Sequence, residues 1–212
     1  QVCSYVKLSE EVKPIGAVNT IVNRNGQLWG HNTDTYGFSK GLKEHGFELG
    51  GKSVLIIGAG GAARAVAISL AFNGIQSLII ANRTFTRAQT LIEIVNQRIK
   101  NCKAISLTIS ELKAVVPNVN LIVNCTSMGM RYSSQEYSTP LTSNDIPKDV
   151  LLYDLVYNPI ETPLIKEAKK SGAAIIGGLP MLIHQGAKAF EMWTGRKAPV
   201  EVMYKAALEK LL

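Results

Sequence analysis

Residues 54–87 read VLIIGAGGAARAVAISLAFNGIQSLIIANRTFTR. An apolar strand runs into Gly58-Ala59-Gly60, a helix begins near Gly61, and a second apolar strand ends at Asn82-Arg83-Thr84. Glycines between a strand and a helix allow a turn tight enough for backbone to approach a pyrophosphate. The helix N-terminus then points its free N–H groups at the phosphates. Gly58-x-Gly60-x-x-Ala63 lies in that strand–turn–helix–strand setting, which points to a bound dinucleotide.

The end of the second strand distinguishes between dinucleotides. A ribose with a free 2′-hydroxyl is usually met there by an Asp or Glu. This chain has Asn82, Arg83, Thr84, Phe85, Thr86 and Arg87 instead, with no acid. Two guanidiniums and a hydroxyl suit a 2′-phosphate through charge-assisted hydrogen bonds. Arginine at a helix start opposes the helix dipole, which argues against mere surface decoration. The expected cofactor is NADP.

Working outward, the alternation continues. Strands are expected at 53–57, 77–81, 103–107, 121–124, 151–156 and 173–177, and helices at 61–73, 85–99, 110–116 and 162–171. Short apolar strands between helices suit a parallel sheet covered on both faces. The fold expected is a doubly wound, Rossmann-like α/β domain over residues 34–179. It opens with a helix from Asp34 to about Gly46 that buries Phe38 and Leu42. GAVNTIVNRNGQLWGHN (16–32) carries two short apolar runs around Asn25-Gly26, a hairpin signal, approached by a helical segment containing Lys7 and Lys13. Residues 181–212 read as helical, broken at Gly195 and Pro199. The end segments 1–33 and 180–212 stand outside the alternation, as pieces of a second, α/β substrate-binding domain.

Composition narrows the function classes. No window approaches the length of an apolar membrane span, and QVCSYVKLSEEVK has no apolar signal-like run. Cys3, Cys102 and Cys125 show no CxxC or His-paired spacing, so neither disulfide nor metal site is expected, as suits the cytoplasm. Net charge is +7, but the basic residues are scattered without aromatic interleaving, and no nucleic-acid partner is expected. Anionic small molecules account for the charge equally well. His31, His45 and His184 are isolated and read as structural or surface residues.

Several further segments then fall into place: Gly16-Ala17-Val18-Asn19-Thr20, Asn32-Thr33-Asp34, Asn124-Cys125-Thr126-Ser127-Met128-Gly129-Met130, Asp154-Leu155-Val156-Tyr157-Asn158-Pro159 and GGLPMLIHQGAKAFEMWTG. With GAGGAARA and NRTFTR, in this order, they resemble the shikimate dehydrogenase family from residue 9 to residue 195. The resemblance implies NADP-linked, reversible reduction of 3-dehydroshikimate to shikimate, in aromatic amino-acid biosynthesis. It implies that Asn19, Asp34, Tyr157 and Gln185 hydrogen-bond the substrate hydroxyls, with Asp34 also in the catalytic acid–base pair. By the same resemblance Gly58, Ala59, Gly60, Gly61 and Ala62 would hold the pyrophosphate and Asn82 to Arg87 the 2′-phosphate, while Leu155, Gly178 and the loop of Thr126 and Ser127 would surround the nicotinamide. Short polar side chains of this kind are what a polyol requires, because a buried polar site rejects analogues that lack a hydroxyl.

The chain also departs from the family pattern. The family's catalytic lysine and carboxylate-binding serines lie upstream of Gly-Ala-Val-Asn-Thr, and by spacing they fall before Gln1. The sequence starts with Gln1 and not Met, so the expectation is a processed chain or part of a longer protein. Lys7 and Lys13 do not stand in the lysine motif. The alternatives are a dual quinate/shikimate dehydrogenase and a non-catalytic NADP-binding module, as monomer or homodimer.

Overall fold

The computed structural model describes residues 2–10 and 12–211. Gln1, Glu11 and Leu212, which the sequence assigns to the end segments, lie outside the described residues. Six parallel strands form the main sheet: β4 (Ser53–Ile57), β5 (Ser77–Asn82), β6 (Asn101–Ser106), β7 (Leu121–Asn124), β8 (Leu151–Asp154) and β9 (Ala174–Ile176). Their order is β6-β5-β4-β7-β8-β9, the doubly wound arrangement expected from the alternation. A smaller sheet joins β1 (Lys7–Leu8), β3 (Gln27–His31) and β2 (Thr20–Arg24), in that order.

β4 shows why the sheet needs cover on both sides. Val54 and Ile56 enter one core with helices α1 (Asp34–Glu44), α2 (Gly61–Phe72) and α3 (Phe85–Val95). Leu55 and Ile57 point the other way, to α4 (Ile109–Val115) and α5 (Pro163–Ser171). Successive side chains alternate across a strand, so a run of four apolar residues is stable only when both faces are dry. The chain ends in α6 (Leu179–Thr194) and α7 (Val200–Leu211), separated at Gly195 and Pro199 as the sequence indicates.

Helices α1 and α6 approach closely. A Cβ on Gly37 would lie 2.7 Å from the Met181 carbonyl oxygen, and one on Gly41 would run into the Tyr153 hydroxyl. Tyr153, fully buried on β8, stacks its ring on Phe38 of α1 at 5.3 Å, and burial raises its phenol pKa. Trp193, near the end of α6, donates its indole N–H to the Ile21 carbonyl of β2 at 2.9 Å, tying α6 to the small sheet.

Several boundaries differ from the sequence pattern, β6 for one running from Asn101 to Ser106 and not over 103–107. Lys7 lies in β1, paired parallel to β3 opposite Trp29, and not in a helical approach. α3 stops at Val95, four residues short of 99, and the Arg98 N–H closes a tighter turn on the Val95 carbonyl at 2.9 Å. β8 stops at Asp154 and not at 156, because the Asp154 side chain takes the Val156 N–H for itself. Asn25 and Gly26 both have positive φ, as the hairpin turn requires.

Candidate active site

Gly58 leaves β4 with φ 111, and a Cβ there would sit 3.1 Å from Cys125 backbone atoms and the Thr126 methyl. Only glycine lets the turn after β4 lie this close to the turn after β7. The connections that leave these neighbouring parallel strands pass to opposite faces of the sheet, which opens a crevice beyond their C-terminal ends. Its walls include Gly58, Ala59, Gly60, Asn82 and Arg83 on one side and Thr126 and Ser127 on the other. Nothing lies within 4 Å of a Cβ built on Gly60 or Gly61, so both face open space at the α2 N-terminus. The first turn of α2, which starts with Gly61 and Ala62, contains no acid.

The turn after β5 has the same character. Asn82 donates its amide to the Thr84 carbonyl at 2.8 Å and shapes the turn. Thr84 is the N-cap of α3, yet its hydroxyl makes no cap bond, and no acid occupies the first turn. Arg83, Phe85, Thr86 and Arg87 are exposed, and neither arginine is ion-paired among the described residues. Free helix N–H groups, a free hydroxyl and two uncompensated guanidiniums in one turn fit an added phosphate. The residues present therefore fit NADP.

At the other end of the crevice a buried carboxylate organises the backbone. Asp154 is fully buried and accepts hydrogen bonds from the Asn124 amide (2.9 Å), the Val156 N–H (3.1 Å) and the Thr162 hydroxyl (2.6 Å). Burial raises its pKa, while the bonds from Thr162, Val156 and Asn124 oppose the rise. Asn124 Oδ1 in turn accepts from the Thr126 N–H and hydroxyl, which fixes the Thr126–Ser127 turn. A neighbouring cavity is bordered by Ala62, Thr126, Arg131, Leu155 and Tyr157. Gly178 packs so closely on the Leu155 carbonyl that any side chain would collide with it.

The third group gathers at the start of α1. Asn19 donates its amide to Asp34 Oδ1 at 2.9 Å. Its own oxygen accepts from the Thr20 hydroxyl and the Thr33 N–H, both at 2.9 Å, so the amide orientation is set by its partners. The Thr33 hydroxyl reaches Gln185 Oε1 on α6 at 3.4 Å. Asn32 fixes the corner, accepting the Asp34 N–H and donating to the Ala17 carbonyl, each at 3.0 Å. The structure thus brings Asn19, Asp34 and Gln185 together; Tyr157 stands apart, 42% exposed on the cavity rim. The sequence reading leaves out Thr33, Asn32, Asn124 and Asp154 as individual site residues, although all four lie within its quoted motifs.

Burial raises the Asp34 pKa above its ordinary value, and the Asn19 hydrogen bond opposes this. Asn19→Leu removes the opposing bond, so the Asp34 pKa should rise further in a carboxyl-carbon NMR titration; an unchanged or lower pKa would overturn the arrangement. The folded carboxyl holds its proton more tightly than the unfolded one. Asp34 therefore favours the fold below pH 3.8, and the contribution fades as pH climbs through the raised folded pKa.

The histidines are engaged in packing. His184 Nε2 lies 2.6 Å from a Glu44 carboxylate oxygen, His45 Nδ1 lies 2.8 Å from the Gly41 carbonyl, and His31 is buried in β3. Among the described residues no cluster of His, Cys, Asp or Glu could hold a metal, and no helix is long and apolar enough to cross a membrane.

A doubly wound sheet with a glycine turn at its switch point, and a cluster of polar side chains at the start of α1, is the arrangement of a dinucleotide-dependent oxidoreductase. Residues 41–163 match the shikimate / quinate 5-dehydrogenase family, and residues 178–208 match the shikimate 5'-dehydrogenase C-terminal domain. The chain belongs to the shikimate/quinate dehydrogenase family. The NADP(+) shikimate dehydrogenase of Alkaliphilus metalliredigens is 42% identical over 207 residues, covering 96% of this chain and 72% of the relative. A shikimate dehydrogenase solved in complex with NADP+ superposes with a TM-score of 0.89 at 37% identity, covering 100% of this chain and 73% of that one. The Listeria monocytogenes shikimate 5-dehydrogenase, solved with shikimate and NAD, gives a TM-score of 0.89 at 33% identity, with 97% and 73% covered.

Proposed function

We infer that this chain is an NADP-dependent shikimate dehydrogenase that interconverts 3-dehydroshikimate and shikimate. One observation carries the reading: Asp34, held by Asn19 at 2.9 Å and flanked by Thr33 and Gln185, forms a hydroxyl-reading cluster in a family member with a dinucleotide crevice. Gly58 to Ala62 would hold the pyrophosphate, Asn82 to Arg87 the 2′-phosphate, and Thr126, Ser127, Leu155 and Gly178 the nicotinamide end. The bound nicotinamide supplies or accepts the hydride. Asn19, Asp34 and Gln185 orient the substrate hydroxyls, with Tyr157 at the rim. Asp34, whose proton affinity is raised by burial, would supply one member of the acid–base pair that serves the reacting oxygen.

A second reading has its own observation. The ammonium of Lys13 is engaged with Glu10, and that of Lys7 lies 4.4 Å above the Trp29 ring. Neither partners Asp34, and a chain without a lysine there would bind NADPH and turn over no shikimate.

Incubating the protein with NADP+ and shikimate, with quinate in parallel, separates these readings. Appearance of NADPH with shikimate supports the dehydrogenase. NADPH binding without turnover supports the binding module, and faster turnover of quinate moves the substrate assignment to quinate.

A further inference from the structure

Arg64 is a guanidinium the cofactor reading leaves unassigned. It lies in the first turn of α2, beside the glycine turn, where a positive charge opposes the helix dipole. Among the described residues it has no ion-pair partner, and its guanidinium makes one long hydrogen bond, 3.4 Å from Nη1 to the Ile15 carbonyl. It also borders a groove with Gly60 and Gly61 on one wall and Gly16 and Ala17 on the other. An unpaired cation beside open helix N–H groups is placed to receive an anion.

The opposite wall of that groove leads to the substrate cluster. Val12 and Ile15 are fully buried, and Gly16 closes their turn by donating its N–H to the Val12 carbonyl at 2.9 Å. The next residue, Ala17, accepts the Asn32 amide, and Asn32 accepts the Asp34 N–H. Two residues further on, Asn19 holds the Asp34 carboxylate. A continuous run of bonds therefore leads from Arg64 through the Ile15–Gly16 turn to both groups that fix Asp34.

We propose that Arg64 is a positioning residue that binds the cofactor pyrophosphate while holding the Ile15 carbonyl, so that cofactor binding orders the segment carrying Asn19; the proposal rests on the dinucleotide reading above. Arg64 differs from Arg83 and Arg87 in reading the phosphates shared by both nicotinamide dinucleotides. Arg87 borders the same groove, but Arg64 differs in hydrogen-bonding the Ile15 carbonyl, in the segment that leads to Asn19.

The test titrates NADPH and NADH against the full chain and follows hydrogen exchange of residues 12–19 with and without saturating NADPH. Wild type should bind NADPH and gain protection across 12–19. Arg64→Met should weaken NADPH and NADH alike by about tenfold, the loss of one charge-assisted hydrogen bond, and the protection should be lost even at saturation. Arg64→Lys should recover part of the affinity. Gly16→Ala keeps Arg64 but puts a Cβ 3.1 Å from its Nη1 at a φ of 62, so it should lose the protection while retaining most of the affinity. The proposal is overturned if Arg64→Met binds both dinucleotides like wild type, or if saturating NADPH protects 12–19 in that variant as in wild type. Failure of wild type to bind NADPH would instead overturn the cofactor reading, and this inference with it.

Discussion

Replacing Arg83 and Arg87 together by glutamine should lower NADPH affinity about a hundredfold and leave NADH affinity within about threefold of wild type. Each guanidinium can give the 2′-phosphate a charge-assisted hydrogen bond, contributing about 1.5 kcal/mol at the low end of the usual range. Two such bonds amount to about 3 kcal/mol, or a hundredfold in a dissociation constant. The low end applies because both side chains are exposed, where water and salt screen the interaction. The effect should therefore shrink as ionic strength rises. NADH lacks the phosphate and loses nothing. Fluorescence titration with both dinucleotides checks the result. A parallel loss of NADPH and NADH would place these arginines on the pyrophosphate and end the 2′-phosphate assignment.

Asp154→Ala should destabilise the fold by about 3–5 kcal/mol, since each buried donor left unsatisfied costs about 1–3 kcal/mol. The substitution leaves three donors unsatisfied: the Asn124 amide, the Val156 N–H and the Thr162 hydroxyl. Thr162 and Asn124 cannot turn to solvent, since both are fully buried. Asp154→Asn should lose less, because one acceptor oxygen remains while the new NH2 faces existing donors. Urea unfolding that compares midpoints at constant slope measures both variants. A shift below about 1 kcal/mol for the alanine variant would show that the network adds little beyond packing. The pH dependence has a fixed sign. The raised folded pKa gives wild type extra stability below pH 3.8, so its advantage over Asp154→Ala narrows as pH rises through the folded pKa.

Much of this molecule is legible in the sequence for specific reasons. β4 and β5 are short apolar runs bounded by Gly58 and by Asn82-Arg83, and their parallel pairing follows from the helix between them. The Asn25-Gly26 turn sets its hairpin register because only such residues accept two successive positive φ values. What escaped has no local signature. β1 is two residues of parallel pairing against β3, too short to show a period. The end of β8 is decided by a side chain competing for the Val156 N–H, which no hydropathy pattern records.

The site divides in the same way. The glycines and arginines are readable because phosphates demand those residue types in a known strand–helix context. Asn19, Asp34 and Gln185 are far apart in sequence, and only the family resemblance placed them together before the fold did. Asn124 and Asp154 stand opposite each other in the β7–β8 register, a relation that appears only once the strands are paired. Arg64 looks like any helical arginine until the Ile15 carbonyl is seen beside it.

Tyr153 has a consequence for anyone who would move this cofactor module into another enzyme. Its ring rests on Phe38 and its hydroxyl fills the place a side chain at Gly41 would need, so β8 and the helix headed by Asp34 form one mechanical piece. One turn earlier on the same face of that helix, the Met181 carbonyl and Gln185 close over Gly37. A graft that began after Glu44 or ended at residue 178 would strip a helix from that stack. The portable cassette is the six-stranded sheet together with α1 and α6, and it carries Asp34 and Gln185 along as cargo.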